Sequence, residues 1–163
     1  MTGGARHRRG SILVEFALLG PVLFALTMTV LEGAWQALTA ATLDIGAREA
    51  SRFGSTGATA PEWLPPPAPA TREEAVRRVV LHFGPYLLRP DRLTLTISAY
   101  LAAGSIGQKG AGQAGAGAPG ETVVYELSYE QPFLTPFPGI VLGRPSIQHR
   151  SRMIVRNEPF PAT

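Results

Sequence analysis

Between Glu15 and Glu32 the chain carries no charged residue, and this interval constrains the fold more than any other stretch. It is filled by Phe16, Ala17, Leu18, Leu19, Val22, Leu23, Phe24, Ala25, Leu26, Met28, Val30 and Leu31. Joined to Ser11–Val14 in one helix, it reaches the roughly 20 residues needed to cross a hydrocarbon layer of about 30 Å. A lipid bilayer is therefore the first expected partner. Arg6, Arg8 and Arg9 precede the run, and Glu32 and Asp44 follow it. The positive-inside bias then predicts a single pass with a cytoplasmic N-terminus and an extracytoplasmic remainder.

Glu15 is the anomaly within the run. A carboxylate costs about 2.5–3.5 kcal/mol at the centre of a membrane helix and less near an end. One reading leaves it near the interface, at the positive end of the helix dipole. The other pairs it with a cation from a neighbouring subunit. Cleavage after Gly10 would create a new α-amino group on Ser11, four residues before Glu15. A basic leader ending in glycine, followed by an apolar segment interrupted only by this glutamate, resembles the class III signal of type IV pilins and pseudopilins. The resemblance implies that a prepilin peptidase removes residues 1–10 on the cytoplasmic face. Gly10 would then precede the cut, Ser11 would be the new terminus, and Glu15 would neutralise the terminus of an adjacent subunit as helices assemble. A secretory signal fits less well, because such peptides have an uninterrupted apolar core followed by a small-residue cleavage site. An uncleaved anchor carrying a binding module that never assembles is the alternative.

Further residues narrow the resemblance. Val14-Glu15-Phe16-Ala17-Leu18, then Gly20-Pro21-Val22-Leu23, Ala47-Arg48-Glu49-Ala50-Ser51-Arg52 and the closing Arg152–Glu158 are similar to TadE-like pseudopilins of tight-adherence pilus systems. The principal pilin of such systems tends to be shorter and to carry Tyr after the glutamate, so Phe16 and a folded outer domain suit a minor component. The von Willebrand-type domain of larger relatives has no room here. The resemblance implies residence in a bacterial inner membrane and a part in assembling or anchoring a pilus used for surface attachment. The partners it implies are a prepilin peptidase, other pilin or pseudopilin subunits and an inner-membrane assembly platform. Glu15 and Phe16 are its assembly residues. Gly20 and Pro21 are a predicted helix kink, because proline cannot donate to the carbonyl of Ala17 and crowds it.

The helix is expected to continue to Phe53, giving a membrane and assembly helix over 11–53. Leu31, Trp35, Leu38, Thr42 and Ile45 recur at steps of three and four, the pattern of an amphipathic face. Residues 54–70, with Pro61, Pro65, Pro66, Pro67 and Pro69, read as a semi-rigid linker. The remainder, 71–163, reads as a small extracytoplasmic domain. Thr71-Arg72-Glu73-Glu74 has the form of a capping box opening a short helix that Gly84-Pro85 ends. Alternation over 92–101 and 122–131 predicts two paired strands, and 146–156 a third. Pro132, Pro136 and Pro138 exclude a central strand between the last two, leaving an irregular or briefly helical crossing over one end of the sheet. Seven glycines fall in 104–120. Lys109 is followed by Gly110, not by the Ser or Thr a phosphate-binding loop requires, so this stretch reads as a flexible loop. The expected class is α+β: a long N-terminal helix, one short helix and a roughly three-stranded antiparallel sheet.

Nothing nominates an enzyme or a cofactor. With no cysteines there is neither a disulfide nor a thiolate metal site. His7, His82 and His149 lack metal-ligand spacing, and no serine sits in a nucleophile-elbow pattern. His82 and His149 read as surface or packing residues. The formal charge of +3 equals that of the leader arginines, so the rest is near neutral and no nucleic-acid partner is expected.

Overall fold

The computed structural model describes residues 4–160, with side chains from residue 12 onward. Of the expected leader, residues 1–3 lie outside the described residues, as does the side-chain environment of Gly10 and Ser11. Helix α1 (Gly4–Ser55) is 52 residues long and runs uninterrupted through Pro21. At 1.5 Å per residue it extends about 78 Å, far more than a bilayer's hydrocarbon thickness.

Residues 56–70 turn back from the end of α1 and lie against helix α2 (Arg72–His82). Trp63 meets the His82 ring at 4.5 Å, and Arg78 donates to the Pro67 carbonyl. The cap of α2 follows from its sequence. Thr71 Oγ1 accepts the Glu74 N–H at 3.1 Å, while Glu74 Oε2 reaches back to the Ala70 N–H at 2.8 Å. These bonds satisfy backbone donors that a helix start leaves unpaired.

The sheet has four antiparallel strands in the order β2-β1-β3-β4: β1 (Leu93–Tyr100), β2 (Gln113–Ala114), β3 (Thr122–Pro132) and β4 (Ser146–Arg156). The two expected strands pair from Leu93↔Tyr129 to Tyr100↔Thr122, and β4 lies on the other side of β3 from Thr122↔Arg156 to Pro132↔Ser146. The fourth strand, β2, is a two-residue piece of the glycine-rich stretch laid along Ser98 and Ala99. It escapes a periodicity reading because two residues cannot display a period.

The residues that follow β2 are also tied down. Ala116 donates its N–H to Glu73 at 3.1 Å, and its carbonyl accepts from Arg72 and from Asn157 Nδ2. Gly115, Gly117 and Gly120 all have positive φ, which lets the backbone turn in under these groups. Between β3 and β4 the chain forms a short helix, α3 (Pro136–Leu142), closed by Gly143 in the left-handed conformation.

Helices α1 and α2 lie on one face of the sheet. The core joins Leu43, Ala47 and Ala50 of α1 and Val76, Val79 and Val80 of α2 to Leu93, Ile97, Val123, Tyr125, Leu127 and Tyr129. The face that α1 buries differs from the one its large apolar residues mark out. Leu31, Leu38 and Ile45 remain about half exposed, while Thr39, Thr42, Leu43, Gly46, Ala47, Ala50 and Gly54 face the domain. Close approach explains the choice. A Cβ at Gly46 would stand 3.0 Å from the Val80 carbonyl oxygen, and one at Gly54 would stand 2.2 Å from the Tyr125 hydroxyl. Small residues bring the backbones together around Leu43, and Leu31, Leu38 and Ile45 are left outside.

Candidate membrane and assembly segment

The inner half of α1 makes no core. From Ile12 to Leu31 nearly every side chain is exposed, Phe16 at 75% and Leu18 at 72%. The helix is long and apolar enough to cross a membrane, and its most apolar window is wholly unburied, with a mean hydropathy of 2.0. An unbroken exposed surface of this kind is far beyond what water tolerates on a soluble protein.

Within it the polar side chains are few. Thr27 and Thr29 turn their hydroxyls back onto the carbonyls of Leu23 and Ala25, at 2.9 and 2.8 Å. Such internal bonds keep polar groups satisfied where no water is present. Glu15 stands exposed on the first part of the run, next to Phe16. Gly20 lies beneath Phe16, whose ring would be 3.9 Å from a Cβ added there. Pro21 follows without ending the helix.

At the outer end of the run the helix meets the domain through a polar relay. Glu32 is only 6% exposed. Its Oε1 accepts from Gln36 Nε2 at 2.8 Å and its Oε2 accepts the Leu134 backbone N–H at 2.8 Å. Gln36 Oε1 lies 2.9 Å from His149 Nε2. Burial holds the His149 pKa below its ordinary 6.5, which favours the neutral ring. The relay ties α1 to β4 and to the β3–β4 connection. Glu32 first stood out only as a flanking charge that orients the helix. The i, i+4 spacing of Glu32 and Gln36 was the one local signal of a shared face; their partners lie about a hundred positions away.

His82 and His149 do not meet: His82 faces Trp63 and Phe83, and His149 faces Gln36. Among the described residues, no group of three or more His, Cys, Asp or Glu side chains is placed to hold a metal ion.

These features define a class of protein: an α+β domain carried on a single long helix whose first half is a candidate membrane span. Comparison with known families is more specific. Residues 10–52 match the family model described as TadE-like protein. Over that segment the chain is similar to the TadE-like family, and the match begins at Gly10 and takes in Glu15, Phe16, Gly20 and Pro21. No curated protein and no solved structure matches the chain.

Proposed function

We propose that this protein is a minor pseudopilin, a structural subunit with no catalytic role. It is inserted in the bacterial inner membrane with its N-terminus in the cytoplasm, cut after Gly10 by a prepilin peptidase, and added to or beneath a tight-adherence pilus used for surface attachment. One observation carries this reading: the family match opens at Gly10 and runs through a helix whose apolar half buries nothing. A helix that leaves its apolar surface uncovered needs lipid or other helices around it. A pilin subunit meets both in turn, first in the membrane and then in the fibre.

The outer half supports the same reading. Leu31, Leu38 and Ile45 recur every seven residues on a face turned away from the domain. This spacing suits packing along a neighbouring helix. Ser11 would supply the new α-amino group, and Glu15 of an adjacent subunit would neutralise it.

N-terminal sequencing of protein extracted from membranes tests the proposal. A terminus at Ser11 is expected. An intact Met1 end would leave the uncleaved anchor, and a terminus beyond residue 30 would mean a removed signal. Either result overturns the reading.

A further inference from the structure

The β3–β4 connection is the least expected surface of the domain. Leu134, Phe137, Ile140, Val141 and Leu142 are all at least half exposed, Ile140 at 78% and Val141 at 66%. From Phe133 to Pro145 the only charged residue is Arg144. Nothing in the fold requires this composition, because α3 contributes no buried residue to the core.

Its position along α1 is informative. Glu32 grips the Leu134 backbone at 2.8 Å. Thr29, Glu32, Gly33 and Gln36 of α1 share a cavity of about 390 Å³ with Phe137 and Val141 of the connection. The connection therefore lies beside the level on α1 where the charge-free run ends. A hydrocarbon layer of about 30 Å measured from Ile12 also ends near Leu31–Glu32. The exposed surface of α3 thus continues the exposed surface of the membrane run at the same height.

We infer that α3 is a second membrane-contacting element, seated in the outer interface of the bilayer that α1 crosses. Phe137, Ile140, Val141 and Leu142 enter the boundary between headgroups and acyl chains, as interfacial amphipathic segments do. Arg144 stands at the end of α3, exposed, where a cation is attracted to lipid phosphates. The Glu32–Leu134 bond fixes the height of α3 relative to the span, so the domain rests on the membrane at two points and has a defined orientation there. The inference rests on the membrane reading of α1.

The chain has no cysteine, so single cysteines can be placed at will. The test places Cys at Ile140, Val141, Leu19 and Tyr86 of the full chain, one at a time, and attaches a nitroxide to each. The labelled proteins go into vesicles of phosphatidylcholine and phosphatidylglycerol, where collision with dissolved oxygen is compared with collision with a water-soluble nickel chelate. Tyr86, 97% exposed and away from the relay, reports the aqueous limit. Labels at 140 and 141 should favour oxygen over nickel by several-fold relative to the label at 86, with Leu19 deeper still.

Nickel access at 140 equal to that at 86 would overturn the inference and leave the span intact if Leu19 remains deep. Shielding from both reagents that disappears on dilution with lipid would also overturn it, because a second copy would then cover α3. A nickel-accessible Leu19 would remove the span itself, and the inference with it. Positions 140 and 141 are exposed, so substitution there leaves the core untouched.

Discussion

Glu32 Oε2 accepts the backbone N–H of Leu134 at 2.8 Å, joining two positions 102 residues apart. The same carboxylate holds Gln36, so one buried side chain connects the end of the apolar run to both the β3–β4 connection and the path to His149. Glu32→Ala leaves the Leu134 N–H and the Gln36 amide without their acceptor. An unsatisfied buried polar group costs roughly 1–3 kcal/mol. Thermal unfolding of the full chain in detergent should register a loss of that size, with Glu32→Gln less affected because its one carbonyl oxygen still accepts. Hydrogen exchange should rise first at 133–145.

Gly54 faces Tyr125 across the helix–sheet boundary. A Cβ there would lie 2.2 Å from the phenolic oxygen and 2.9 Å from the carbon that bears it. Gly54→Ala should destabilise by about 1–3 kcal/mol, the range for overpacking a well-filled core. The Tyr125 hydroxyl is buried and makes no well-aligned hydrogen bond among the described residues, although Arg72 lies close enough to attract it, so Tyr125→Phe alone should cost little. Combined with Gly54→Ala it should recover part of the loss, and a double-mutant cycle measures the coupling. Burial pushes the Tyr125 pKa up to about 12, against the opposing attraction of Arg72, so its phenolate absorbance should appear only as the domain unfolds.

Tyr129 works in the opposite way. Its hydroxyl accepts the Arg89 N–H and donates to the Leu87 carbonyl, each at 3.0 Å. Tyr129→Phe orphans both backbone groups, and a loss of about 1–3 kcal/mol is expected in the same unfolding measurement. Two tyrosines on the inner face of one strand should thus respond differently to the same substitution.

His149 should make the domain acid-sensitive. Its folded pKa is lowered from 6.5 by burial, so in the window just below 6.5 the unfolded chain binds more protons than the folded one. Stability is therefore present above that window and falls as pH drops through it. The nearest polar group to the ring is the Gln36 amide, with Glu32 on its far side. Melting temperatures between pH 7 and pH 5 should decline in the native chain and decline less in His149→Gln.

Glu15→Gln separates an assembling subunit from a plain anchor. In the pseudopilin reading the variant is still inserted and cut at Gly10 but enters the fibre poorly. Immunoblots of membrane and sheared-fibre fractions should show normal processing with reduced incorporation. An anchor that never assembles would show no difference between the two chains.

Much of the local structure followed from the order of residues alone. The uncharged interval from Phe16 to Leu31 demands a helix without water, Thr71 and Glu74 close their own cap, and alternating apolar residues set β1 and β3. Each of these signals is complete within one helix, one cap or one strand, so no distant partner is needed to read it. The TadE-like match, over residues 10–52, falls within this locally readable region.

Only the tertiary structure decided which face of α1 the domain covers, what Glu32 holds and how the glycine-rich stretch is secured. Large apolar spacing pointed to Leu31, Leu38 and Ile45, but the sheet and α2 came to rest on Gly46, Ala47, Ala50 and Gly54, where the backbones approach closely. Ala116 is anchored from Glu73 and Asn157, more than forty positions away on either side. Local periodicity carries no information about pairings at that separation. They form only when the close-packed core brings the chain segments together, because burial then makes each unpaired polar group costly and each fitted one stabilising.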